Sequence, residues 1–487
     1  MRSDRMGKAS VEYGNVAALH RIAERVELID IVNSYAPKMS GTSVGHLVEI
    51  MAINRAVDPL AKIALPEWYQ TTYLPELLGV KLPIESGYKT LTRCYDYLTD
   101  DVQMDIEIEL ARKARKEFGL EETTYLYDIT STFVEGEGEA DILQFGYSRD
   151  SRPDRRQVNY GLVVTREWRI PLFHQAFPGN MNDSKTVKST MNTFHEELGL
   201  QGCMVVDRIM VTASNIVDIV DSKGLDLVGA LRLNSKLKKL ILGISMNKYK
   251  GPFMLGKEAI QFKELPLDLG GKKRRCILYY SEEKAKRDTK AREQKLKRVE
   301  KELEDIEKKL TRKGRGRKTR KNTVEKKVDK LLSKLQISNF IGYRFVGGRG
   351  GRRLKWWREE KALKEAKYLD GKYILVTTLT EPPDEILRIY RSRNGIERAF
   401  RITKESIRIR PIFNRKEQHI KAHLFICFIA YLLVSLLEMV LRKKGHKITA
   451  EKALKKLRLE RCEIKRMIDT TSSKRILKSL GIGRAYG

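Results

Sequence analysis

A glutamate flanked at helical spacing by an aromatic hydroxyl and several cations is a set of side chains suited to work on phosphates. Tyr390, Arg393, Glu397 and Lys404 stand in the segment RIYRSRNGIERAFRITK at offsets of −7, −4, 0 and +7 from the glutamate. On a single α-helix, at ~100° per residue, the four fall within roughly 60° of one another. Arg401, at +4, joins that face. A carboxylate can hold a divalent cation, and cations on the same face can hold phosphates. The same spacing also suits a solvated helix with ordinary ion pairs among Arg393, Glu397 and Arg401.

Two aspartates bear on the choice. Asp128 follows Tyr125-Leu126-Tyr127 and precedes Ile129, and Asp207 ends Met204-Val205-Val206. An aspartate beside such apolar neighbours must be solvated or paired, because an isolated buried carboxylate is too costly. Side by side, two such strands bring both carboxylates together, and bound cations relieve their repulsion. Taken singly, Asp207 suits a cap on the next turn and Asp128 suits an arginine partner. His419 and His423 are four apart, a spacing that can bind zinc, but no third ligand is near and a structural role is expected. The glycines of VGGRGGRR (346–353) lack the strand-then-helix order of a phosphate loop.

The elements that must position these residues are legible in outline. Residues 1–118 are expected to form a helical domain, to which the family resemblance given below assigns binding of DNA ends, with Ser43 and Asp100 as helix caps and Asp58-Pro59 opening another helix. Strands are expected over 123–136, 157–165 and 170–179. A helix from Asp183 to about Leu198, a strand at 202–207, a helix near 211–222 and a strand at 225–233 complete a mixed α/β sheet over 119–234. Residues 235–370 read as an insertion. There Leu296, Val299, Leu303, Ile306 and Leu310, then Val324, Val328, Leu331 and Leu335, repeat at steps of three and four. The pattern predicts a helical hairpin whose tip, TRKGRGRKTRK (311–321), is basic enough to touch a nucleic-acid backbone. A strand at 373–379 and the helix carrying Glu397, started by Asp384, lie in 371–445. A basic tail with helical patterning around 448–467 fills 446–487.

Charge bounds the partner. The chain of 487 residues carries 95 Lys+Arg against 63 Asp+Glu, a formal net charge of +32. Excess of that size points to a polyanion. Five scattered cysteines without a CxxC pair fit neither a zinc site nor a disulfide framework, and suit a reducing interior. The longest apolar run, Leu424 to Leu437, covers 14 positions, which is short for a membrane span and reads as a buried helix. A cytoplasmic protein without a membrane role is expected.

Asp on the first strand of a mixed sheet, Asp ending the fourth, and Glu on a late helix beyond a long insertion resembles the DDE transposases of insertion sequences. The resembled branch carries a YREK signature, Y-x2-R-x3-E-x6-K, matched at Tyr390, Arg393, Glu397 and Lys404. FGYSRDSRPDRRQ (145–157), PGNMNDSKT (178–186), VVDRIMVTASNI (205–216) and RPIFNRKEQHIKAHLFIC (410–427) extend the likeness. Ile209 departs from a family glycine. The resemblance implies a ribonuclease H-like core in which Asp128, Asp207 and Glu397 hold two Mg²⁺ ions, with Mn²⁺ as a substitute. It implies that water first frees a 3′-hydroxyl at the element's end, and that this hydroxyl then attacks target DNA. Arg393 and Lys404 match positions that contact terminal DNA, and Tyr390 one that contacts a phosphate; Arg401 is added on helix geometry alone. Trp356 or Trp357 would stack a flipped base if excision passes through a DNA hairpin. The implied partners are double-stranded DNA (the terminal inverted repeats and a target) and a second copy of the chain. The competing expectation is an inactive, transposase-derived DNA-binding regulator.

Overall fold

The computed structural model describes residues 10–38, 41–136, 138, 140–311, 321–347, 353–463, 466–468, 475 and 478–481. Most of the basic tip at 311–321 and of the glycine run at 346–353 lies outside the described residues. The chain divides into two compact units, Met1–Val228 with Ile389–Gly487, and Gly229–Arg388.

In the first unit, helices Gly14–Arg25, Leu28–Tyr35 and Val44–Val57 precede the long α1 (Asp100–Phe118). Ser43 caps Val44–Val57 as its spacing predicts, its hydroxyl accepting from the His46 amide at 3.4 Å. The cap of α1 is Thr99, one residue before the expected Asp100, because Thr99 is the extended residue whose hydroxyl meets the Val102 amide. Ile106, Leu110, Ala114 and Phe118 form a buried stripe along α1, and Gly119 ends it with a φ of 60°. Asp58 opens no helix: it closes Val44–Val57, its amide bonded to the Asn54 carbonyl, and the next helix starts at Leu65-Pro66.

The sheet of this unit is built from β1 (Thr124–Phe133), β2 (Gln157–Thr165), β3 (Pro171–Pro178), β4 (Cys203–Val206) and β5 (Asp226–Ala230). Their spatial order is β3-β2-β1-β4-β5. β2 runs antiparallel to β1 and β3, whereas β4 runs parallel to β1. This order is the ribonuclease H-like mixed sheet that the resemblance implied. β2 is buried at every position, as a central strand covered on both faces should be. Between β3 and β4, α2 (Asp183–Asn192) gives way to a widened turn at Thr193–Glu197, where a single helix was expected.

After β5 the first unit resumes at Ile389, within α3 (Pro383–Arg391). α4 (Asn394–Arg401) follows, then a π-helical turn over Ile402–Ser406 and the helix α5 (Glu417–Lys443). α5 is longer than the apolar run suggested. By length and composition it could cross a membrane, yet 94% of its most apolar stretch is buried inside the protein. It packs against Val44–Val57, Gly14–Arg25 and β3. Over residues 424–437 it is apolar on nearly every side, with Ser435 the exception, and this stretch is the central post of the unit's core. In the tail, helix Ala450–Leu457 stops short of the expected 467, and Arg461–Glu463 instead pairs with Ser10–Glu12 as a strand.

The second unit holds antiparallel strands in the order Lys372–Thr377, Lys272–Ser281, Glu258–Leu269, Lys250–Leu255. Its helices Glu282–Thr311 and Lys321–Lys334 carry the two halves of the expected hairpin. Leu296, Val299, Leu303, Ile306, Val324 and Val328 bury together, with Leu332 inside and Leu331 at the edge.

Candidate active site

Parallel pairing of β1 with β4 fixes the two aspartates. Tyr127 lies opposite Val206, so Asp128 and Asp207 are the next residues along adjacent strands. β4 ends at Val206, and Asp207 turns out of the sheet beside Asp128. Arg393 reaches across both: Nη1 lies 3.4 Å from Asp128 Oδ2 and Nη2 lies 3.5 Å from Asp207 Oδ1. Burial pushes the Asp128 carboxyl up to about 6. The Ile129 amide, which donates to Oδ1 at 2.8 Å, and the Arg393 charge pull it back, while Asp207 pushes the same way as burial.

Arg393 comes from a joint and not from the face of one long helix. α3 ends at Arg391, and the amides of Ser392, Arg393, Gly395 and Ile396 bond three residues back, to Ile389, Tyr390, Ser392 and Arg393. Ser392 Oγ adds a bond to the Ile389 carbonyl at 2.6 Å. Side-chain bonding of this kind, next to Asn394-Gly395, tightens the chain out of α geometry. The continuous helix started by Asp384 is therefore two helices. Glu397 sits on α4 and is exposed. Its charge still acts on Arg393: burial works against the guanidinium, but Asp207, Asp128, Tyr390 and Glu397 together hold its pKa above the ordinary arginine value. Tyr390, on the last turn of α3, is half-buried with its ring centroid 6.0 Å from the Arg393 guanidinium carbon. Burial raises its hydroxyl pKa, and the Arg393 charge opposes that rise.

Lys404 and Arg401 part company. Arg401 is exposed at the end of α4. Lys404 lies in the π-helical turn, whose extra residue swings it inward onto Asp150 Oδ1 at 2.8 Å. Burial lowers the Lys404 pKa against the pull of Asp150. Asp150 is almost fully buried and also pairs with Arg410. Its neighbour Arg149 donates to Asp183 Oδ2 at 2.6 Å, and the Arg149 charge lowers the Asp128 pKa. Arg149, Asp150, Asp183 and Arg410 are residues that spacing alone missed; they lie in the segments quoted for the family likeness, the one signal that pointed at them. Two glycines of those segments hold the loops together. A Cβ on Gly146 would lie 1.9 Å from the Gly179 carbonyl oxygen.

The two aspartates fit a divalent cation. Both offer hard oxygen donors, and they share one guanidinium that closes tightly on neither. Glu397 is not drawn into that pair: no three His, Cys, Asp or Glu side chains among the described residues group as ligands. The histidines are structural: His419 Nε2 pairs with Asp96 at 2.7 Å, and His423 Nε2 donates to the Ile409 carbonyl at 2.9 Å. In the second unit, Trp356 packs on the hairpin core, while Trp357 is half-exposed and its indole N–H donates to Glu359.

A family profile described as "Transposase DDE domain" matches residues 122–433. No curated protein matches the chain. Among solved structures, the chain is similar to one described as the cryo-EM structure of a piggyBac transposase synaptic complex with hairpin DNA. The TM-score is 0.42 at 8% identity, over 92% of this chain and 79% of that one.

Proposed function

The chain belongs to the transposase DDE-domain family, and from that premise we propose that it cuts DNA at the ends of a mobile element and joins those ends to a target. The observation that carries the reading is the pair Asp128–Asp207, neighbours on parallel strands with a single cation between them. Phosphodiester cleavage by water and transfer to a 3′-hydroxyl are the same displacement at phosphorus with different nucleophiles, so one centre serves both. When bound, a pair of Mg²⁺ or Mn²⁺ ions supplies an activated water and neutralises the leaving oxygen.

The chain's own residues do the rest. Asp128 and Asp207 would hold the cations, with Glu397 on α4 as the third ligand that the family likeness assigns. Arg393 and Arg401 bind backbone phosphate, and Tyr390 orients the phosphate nearest the cut. Lys404, matched to a DNA contact by its signature position, acts here as an anchor that ties the Asp150 loop to the π-helical turn. Two copies of the chain, each holding one element end, would keep both ends together during transfer.

The exposure of Glu397 favours a second reading, an inactive transposase-derived regulator that binds DNA without cutting it. One assay separates the two. A duplex bearing the element's inverted repeat is incubated with Mg²⁺ or Mn²⁺, and nicking by the wild type is compared with Asp207→Asn and Asp128→Ala. The proposal expects nicking by the wild type only, with duplex binding by Asp207→Asn nearly unchanged. Cleavage by Asp207→Asn at the wild-type rate refutes the site, and no cleavage by any of the three favours the regulator.

A further inference from the structure

This inference rests on Asp128 and Asp207 being cation ligands and adds a role for Arg393 that phosphate binding does not require. The Arg393 fork lies between two carboxylates on separate strands at 3.4 and 3.5 Å. A closed guanidinium–carboxylate pair sits at about 2.7–2.9 Å. Its Nε is buried without a hydrogen-bond partner. It departs from the joint between α3 and α4, where the backbone bonds are the short i→i+3 kind. A side chain with loose contacts, an unused donor and a hinge-like root is well placed to move.

We infer that Arg393 is an internal stand-in for the divalent cation: it neutralises the aspartate pair until an ion arrives and must swing away when one binds. A guanidinium and a divalent ion cannot share the gap, since both are positive and both need the same oxygens. Once displaced, the fork requires an acceptor, and a DNA phosphate matches its paired donors. Cation binding and phosphate binding therefore favour each other, and the linkage is reciprocal. In the absence of DNA, the chain protects its own metal site with Arg393.

Titration of Mn²⁺ alone into the full chain, followed by calorimetry, tests this without reference to cleavage. Arg393→Ala and Arg393→Gln should bind Mn²⁺ at least about tenfold more tightly than the wild type, because a competing like charge is gone. Arg393→Lys, which keeps the charge, should stay near the wild type. Thermal melts of both neutral variants establish that they are folded. Unchanged or weaker Mn²⁺ binding in both, with folding intact, overturns the stand-in role. The double variant Arg393→Ala with Asp207→Asn separates this from the reading beneath it. Loss of Mn²⁺ binding there, without a gain in the single variants, sinks only the role of Arg393. Retention of tight binding in the double variant means the ion sits elsewhere, and both readings fall.

Discussion

Burial pushes the Asp128 carboxyl up to about 6, and that places a titration at the edge of the working range. A cation needs the ionised form, so protons compete with the ion below that value. Mn²⁺ affinity should be level above pH 6 and fall about tenfold per unit below it; titrations at several pH values check this, and a flat profile through pH 5 would contradict it. At this scale the sequence was readable where chemistry and environment conflict. Aspartates set in apolar strands stand out, and Asp128 and Asp207 did come together. Lys404 shows where spacing fails. Its distance from Glu397 assumes α geometry, but the intervening π-helical turn rotates it onto Asp150.

Strand and helix positions are set by patterns that local sequence carries well, and breaks inside a helix are not. The β1–β4 core strands and α5 followed from apolar runs. The joint at Ser392–Arg393 did not, because it depends on a serine bonding back to its own helix and on the adjacent Asn394-Gly395. The loops beside the aspartates were equally hidden, since they are held by a backbone crossing between distant segments. Gly146 and Gly179 meet so closely that no side chain fits between them. Gly146→Ala should cost about 3 kcal/mol in chemical denaturation, near the upper range for forcing atoms into a packed site. It should also loosen the loop that carries Arg149 and Asp150. A loss under about 0.5 kcal/mol would mean that the crossing relaxes freely.

Across the whole molecule, the net charge of +32 should make DNA binding steeply dependent on salt, each phosphate contact contributing about 0.9 to the log–log slope. Arg401→Ala should reduce the slope by about one unit, whereas Lys404→Ala should leave it unchanged and lower thermal stability instead, because Lys404 is spent on Asp150. Equal slope changes for the two variants would contradict that division. The apolar helix α5 shows how whole-molecule context decides what a local run means: the same residues that pass for a membrane span are the post around which the first unit packs. The central claim, that Asp128 and Asp207 form a cation-holding cleavage centre, is tested most directly by anomalous X-ray scattering from crystals soaked in Mn²⁺. Manganese should lie between the Asp128 and Asp207 carboxylates, with Arg393 turned away. Manganese bound elsewhere, and Arg393 still lying across both aspartates, would contradict that claim.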